Sequence, residues 1–239
     1  MFDLNDWLIR QSVYDEQVQN LDKNLVLVHH KERDVWHKIK VAVEASERYL
    51  ISQEALWLRR SSQCQPIRCY ASEANDNYQI IIMDYLEGRS LSDQIRETKN
   101  NKVSNATLLS LFNNINKLHE EGIIHNDIKP NNIIIQNEQA YLIDFASCGW
   151  LNQSYASKKY QSYTPVYTLA EPYGLTEFRP LVDWYAYLLL LDLILNESVL
   201  ILSIDNLAAF TRHQSNVIRT YQFPEKIEAF LISQLDAII

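Results

Sequence analysis

Apolar residues recur along this chain with two different periods, and the period changes part-way. From Leu25 to Val41, "LVLVHHKERDVWHKIKV" sets two apolar-rich runs about a charged turn at Lys31 to Asp34, which predicts two strands. "EASERYLISQEALWLRR" predicts a helix, in which Glu47 and Glu54, seven positions apart, share a face. "IRCYASEANDNYQIIIMDYL" predicts a second hairpin with "EANDN" as its turn. Beyond it the spacing becomes helical. Leu108, Leu111, Phe112, Ile115 and Leu118 make one apolar stripe, Ser104 or Asn105 can cap its start, and Gly122 suits the left-handed position past its end. Two short apolar runs follow, "NIIIQ" and "AYLIDF", split by the turn "NEQ". A polar, irregular segment then runs from about Ser147 to Phe178, and the remainder is mostly helical.

Strands first and helices second predict an α+β architecture of two lobes. The expected division is a strand-rich lobe over 1–86 and a helical lobe over 87–239, with the switch near Leu86 to Ser92. The longest apolar stretch, "LVDWYAYLLLLDLIL", is interrupted by Asp183 and Asp192, so a buried helix is expected rather than a membrane span. At 239 residues and 47% hydrophobic content the chain can bury a sizeable core. A net charge of -8 gives no reason to expect nucleic acid or an anionic membrane as partner. Three cysteines, Cys64, Cys69 and Cys148, are scattered without a CxxC pair, and the N-terminus carries acids where a signal peptide carries bases. A reducing, cytoplasmic setting is the expectation.

One stretch concentrates chemistry. "HNDIKPNNIII", from His125 to Ile135, places an acid, a lysine and an asparagine just ahead of a strand. Phosphoryl transfer needs an acid to receive the attacking hydroxyl's proton, a cation against the phosphate charge, and oxygen ligands for Mg²⁺. Asp127, Lys129 and Asn132 have the right types. Asp144, at the end of the next apolar run, is a second acid that a strand would deliver to the same place.

On these residues the chain resembles the eukaryotic-like Ser/Thr protein kinase superfamily. "HNDIKPNN" is similar to the catalytic loop HRDxKxxN, and "IDFA" to the metal-binding DFG. "IIIMDYLEGRSL" resembles the last strand and hinge of the first lobe. "TPVY" followed by "AEP" resembles the end of the activation segment, and "VDWYAYLLLLDLIL" the buried helix after it. The likeness is strong from about Tyr78 to Leu195 and plausible from about Leu25 to Arg60. The first two dozen and last forty residues show no clear match.

The resemblance implies a bilobal kinase fold that uses ATP and Mg²⁺ on a protein Ser or Thr hydroxyl. It makes Asp127 the catalytic base or hydroxyl-orienting acid, sets Lys129 against the γ-phosphate, and gives Mg²⁺ to Asn132 and Asp144. It implies that Asp84 and Leu86 offer backbone groups to adenine, that Met83 lies at the gatekeeper position, and that Asp183 anchors the catalytic loop. His125 is expected to brace that loop. For the lysine that pairs with ATP phosphates and a helix glutamate, Lys38 is preferred, with Lys40 as the fallback, although Lys38 would set Trp36 where the family has a small alanine. Glu54 is preferred over Glu47 as the partner.

Three departures stand out. The Gly-rich loop is missing: the four glycines are Gly88, Gly122, Gly149 and Gly174, so residues 1–87 hold none. "RQSVYDEQ" and "LDKN" are the candidates to cover a nucleotide instead. Asn126 replaces the arginine of HRD, which argues against control by activation-loop phosphorylation. Ala146 replaces the DFG glycine. Ser154, Ser157, Ser162, Tyr163 and Thr164 supply hydroxyls in the activation segment, either as phosphorylation sites or as ordinary loop residues. Two alternatives remain open: a small-molecule or lipid-linked sugar kinase on the same fold, and a pseudokinase acting as a binding module.

Overall fold

The structure is a computed structural model and describes residues 4–22, 24–97, 103–160, 164–169 and 175–238. The chain divides into two compact units, Met1–Glu87 with Phe145–Ser147, and Gly88–Asp144 with Cys148–Ile239.

The first unit begins with helix α1 (Leu4–Arg10) and strands β1 (Tyr14–Asp22), β2 (Leu25–His30) and β3 (Val35–Ala42). Helix α2 (Ala45–Arg60) and the hairpin of β4 (Cys69–Ala74) and β5 (Gln79–Asp84) complete it. The strands form one antiparallel sheet in the order β1-β2-β3-β5-β4. Alternation along β3 sorts its side chains: His37, Ile39 and Val41 are buried on one face, while Trp36, Lys38 and Lys40 share the other. Ile39 and Val41 join Leu8, Tyr14, Val26, Val28, Ile80 and Ile82 in a core that α1 helps close through Leu4 and Trp7. On this same face Tyr14, His30, His37 and Tyr70 form a run of ring contacts across the sheet.

Of residues 10–17 only 11–13 form a turn. Arg10 ends α1 and Tyr14 starts β1, an edge strand whose register with β2 shifts between Tyr14 and Val18. Asp22 pairs with Leu25, and Lys23 of the "LDKN" candidate lies outside the described residues.

The second unit carries β6 (Arg89–Ser90), α3 (Leu91–Glu97), α4 (Asn105–Glu120), β7 (Ile123–Ile124), β8 (Ile133–Gln136), β9 (Gln139–Leu142) and β10 (Gly149–Trp150). It ends in helices α5 (Pro180–Asn196), α6 (Leu207–Thr220) and α7 (Glu225–Ile238). Helix α4 starts at Ser104, whose side chain accepts the Thr107 N–H, and Gly122 beyond its end has φ +72°. Gly88 is required by proximity: a Cβ there would lie 2.7 Å from the Ile135 carbonyl oxygen on β8. Phe112 of α4, Trp184 of α5 and Phe230 of α7 meet ring to ring at 5.0 to 5.5 Å and centre the core.

Helix α5 is buried all round from Val182 to Asp192, which is why its sequence lacks an amphipathic stripe. Its two carboxylates survive inside because each gathers three donors. Asp192 accepts from Asn196 Nδ2, the Leu200 N–H and His213 Nε2 at 2.8, 2.8 and 2.7 Å. Among the described residues no helix is long and apolar enough to cross a membrane.

Candidate active site

The chemistry-bearing residues form one constellation in each unit. In the second unit, η-type turn Pro130–Asn132 carries the loop from His125 into β8. Asp183 of α5 holds the loop's backbone: its Oδ2 accepts the His125 N–H and its Oδ1 the Asn126 N–H, each at 2.8 Å. His119 of α4 supplies the third donor to Asp183, at 2.9 Å. His125 is fully buried, with Nε2 3.2 Å from the Ile143 carbonyl oxygen.

Asp127 is 3% exposed, yet its carboxylate is well provided for. Oδ2 accepts from Lys129 Nζ at 2.7 Å and from Asn132 Nδ2 at 2.9 Å. Oδ1 accepts from the Thr164 hydroxyl at 2.9 Å. Lys129 also donates to that hydroxyl, at 3.0 Å. Three donors, one of them cationic, offset the desolvation of a buried carboxylate. Asn132 also donates to the Asp127 carbonyl oxygen, at 2.9 Å. With its NH₂ spent on Asp127, its amide oxygen is the atom left to meet a cation. Asn132 is tied to the next strand by the Ile143 N–H, 2.9 Å from its carbonyl oxygen, and Asp144 follows, half-buried, at φ +65°.

In the first unit, Lys40 Nζ lies 2.7 and 2.6 Å from the two carboxylate oxygens of Glu54. The Glu54 side chain is 3% exposed and that of Lys40 19%. Phe145 is fully buried in this unit, among residues 145–147 that pack on α2. Met83 is buried on β5, opposite Lys38 in the strand register. The Asp84 side chain accepts from the Arg68 N–H at 2.8 Å and the Tyr70 hydroxyl at 2.5 Å. Its own N–H goes to the Arg68 carbonyl, 3.0 Å away, which removes that donor from any adenine contact. Leu86 is half-buried past the end of β5.

Residues 25–236 match the protein kinase domain family. The chain belongs to that family. Kinase pak-2 of Caenorhabditis elegans, a serine/threonine-protein kinase, is 26% identical over 153 residues, covering 63% of this chain and 29% of the relative. Serine/threonine-protein kinase 1 of Heliothis zea nuclear polyhedrosis virus is 33% identical over 125 residues, covering 50% and 45%. The chain thus spans less than half the length of these curated relatives. A solved structure titled "Structure of the Cydia pomonella Granulovirus kinase, PK-1" superposes with a TM-score of 0.65 at 17% identity, over 97% of this chain and 90% of that one, and shows the shared fold.

The kinase match reaches residue 236, well beyond the Leu195 limit set by sequence likeness. Of the two candidate lysines, the fallback Lys40 is the one whose ammonium pairs with Glu54. Both lysines lie on one face of β3, two positions apart, so alternation alone could not separate them; where α2 brings Glu54 to the strand does. With Lys40 in the pair, Lys38 takes the place that the family gives to alanine, and Trp36 is relieved of it. Thr164 is the site residue that sequence reasoning missed. It stood only among the activation-segment hydroxyls, and its contacts span 37 and 35 positions. Ser162, Tyr163 and the "AEP" segment lie outside the described residues.

Proposed function

We propose that this chain transfers the γ-phosphate of MgATP to serine or threonine hydroxyls of protein substrates. The arrangement around Asp127 is the observation that carries the reading. A buried carboxylate has Oδ2 fixed by Lys129 and Asn132, while Oδ1 faces a threonine hydroxyl. A substrate hydroxyl brought to this carboxylate would be oriented by Asp127 beside Thr164 and lose its proton toward it. Lys129 Nζ holds positive charge 2.7 Å from Oδ2, the other oxygen of that carboxylate, within reach of a transferred phosphoryl group. We assign the nucleotide phosphates to Lys40, oriented by Glu54, and the adenine edge to the backbone past Met83, at Asp84 and Leu86.

Protein kinases use ATP with a divalent metal, and the residues here fit that requirement. Asn132 and Asp144 offer oxygen donors, and no cluster of three His, Cys, Asp or Glu residues occurs among the described residues to suggest a softer metal. Mg²⁺ takes few protein ligands and completes its shell with phosphate and water oxygens. Bound there, it would neutralise charge between the phosphates.

The Ser/Thr names of the curated relatives support the hydroxyl class. One observation favours a second reading, a catalytically weak binding module: residues 1–87 hold no glycine to lay backbone over phosphates. The two readings separate on incubation with MgATP labelled at the γ-phosphate and a generic protein substrate. The first requires label in protein from the wild type and none from Asp127→Ala or Asp144→Ala. Absence of both transfer and Mg²⁺-dependent nucleotide binding would leave only the second.

A further inference from the structure

Asn126, which replaces the family's HRD arginine, is neither exposed nor idle. It is 6% exposed and sits at φ +65°, a left-handed conformation that asparagine adopts more readily than most residues. Its N–H goes to Asp183, and its side-chain Oδ1 accepts the Tyr155 hydroxyl at 2.8 Å. Tyr155 is 8% exposed and comes from the segment after Asp144. Its ring packs on Phe178 with centroids 4.3 Å apart, and its N–H reaches the Thr176 carbonyl at 2.9 Å. Tyr155, Phe178 and Ile124 form one buried cluster. The bond thus joins the residue preceding Asp127 to the activation segment at a point fixed by packing.

Building on the function proposed above, we propose that Tyr155 is a positioning residue: its hydroxyl, bonded to Asn126, locks the catalytic loop to the activation segment and does the work that a phosphate does on an arginine. Arginine at this position meets a doubly charged partner that a kinase must first add. Asparagine meets a neutral donor that folding supplies. Burial raises the Tyr155 phenol well above its ordinary range, so it stays protonated and donating at any working pH. Two candidate phosphoacceptor hydroxyls nearby also take part in local turns. Ser154 Oγ accepts from the Ala156 N–H, and Ser157 Oγ donates to the Ser154 carbonyl at 2.6 Å. Loop order here is therefore built in rather than switched.

Tyr155→Phe removes the hydroxyl and keeps the ring against Phe178. Asn126→Gly removes the acceptor and keeps a residue at ease with positive φ. Each is expected to lower kcat about tenfold at unchanged KM for ATP, the scale of one buried hydrogen bond lost. The double variant should lose no more than either single, because both delete the same bond. Amide exchange at His125 should quicken in all three, and at Asn126 in Tyr155→Phe. Phosphatase-treated wild type should keep its full rate. Full kcat with unchanged exchange in either single variant, additive losses in the double, or a wild-type rate that collapses on phosphatase treatment each overturn the proposal. If the wild type transfers no phosphate at all, the kinase reading fails, and the exchange comparison alone still decides whether Tyr155 orders the loop.

Discussion

Replacing Lys40 by methionine is the perturbation that separates the two lysines of β3. The change keeps the length of the stem and deletes the charge. It strands the Glu54 carboxylate, 3% exposed, without the cation 2.6 Å away. Removing one partner of a buried ion pair costs about 3–5 kcal/mol, because a desolvated charge is left uncompensated. Lys40 itself is 19% exposed, so solvent tempers the loss and the lower end, about 3 kcal/mol, applies. In a unit within a chain of this size that is a fall of about 6–12 °C in melting temperature. Lys38→Met should cost under about 1 kcal/mol, since Glu54 keeps its partner. Glu54→Gln combined with Lys40→Met should regain much of the stability, because no charge is left buried alone. It should not regain ATP use. Thermal melts and KM for ATP across the four proteins make the assay. If Lys38→Met cripples nucleotide use while Lys40→Met leaves both stability and KM intact, the assignment of the pair to catalysis is wrong.

Other consequences follow from single contacts. Thr164→Val should lower kcat about tenfold with a normal melt, while Thr164→Ser stays close to wild type, because one hydroxyl bonds both Asp127 and Lys129. Asp192→Ala should cost about 1–3 kcal/mol by denaturant unfolding, since it removes the buried acceptor of three hydrogen bonds whose donors are part-exposed. The folded protein should keep its specific activity, because none of these groups touches the Asp127 loop. The His37 imidazole is pushed down to about 4 by burial, with the charge of nearby His30 acting the same way and Asp84 opposing. A depressed histidine is neutral in the fold, so its contribution is fully present above pH 6.5 and is lost as pH falls toward 4. Allowing for screening, roughly 2 kcal/mol should disappear across that window. His29 works in the opposite sense: hydrogen bonding to Asp15 raises it, and its contribution fades as pH climbs past 6.5. His37→Phe isolates the first effect, and a denaturation midpoint that slopes with pH as steeply in that variant as in wild type would refute it.

The strands that bury a face were legible because alternation and burial coincide. β2, β5 and β8 lie within the predicted runs, and β3 and β9 each extend one residue beyond theirs, β9 taking Gln139 from the expected turn. β1 was missed because it is a polar edge strand, with Gln19, Asn20, Leu21 and Asp22 exposed, and edges need little apolar pattern. Helix α1 is a single short element of seven residues whose apolar side chains, Leu4, Trp7 and Leu8, make sense only against the sheet they cover. Within the candidate site, local spacing brought Asp127, Lys129 and Asn132 together, and their contacts span two to five positions. What escaped was long-range. Thr164 and Tyr155 reach the loop from 37 and 29 positions away, and the sequence between them carries no period to announce it. The choice between Lys38 and Lys40 was left open for a related reason, since pairing with Glu54 depends on helix placement rather than on the strand.

In the proposed reaction the Asp127 carboxylate orients a protein hydroxyl for phosphoryl transfer. Asp127→Asn tests it most directly, since it keeps the size and much of the hydrogen bonding while removing the charge and the proton acceptor. With γ-labelled MgATP and a protein substrate, the wild type should produce labelled phosphoserine or phosphothreonine. Asp127→Asn should bind nucleotide equally well and label at a rate lower by about a hundredfold or more. Equal labelling by the two proteins would contradict the account.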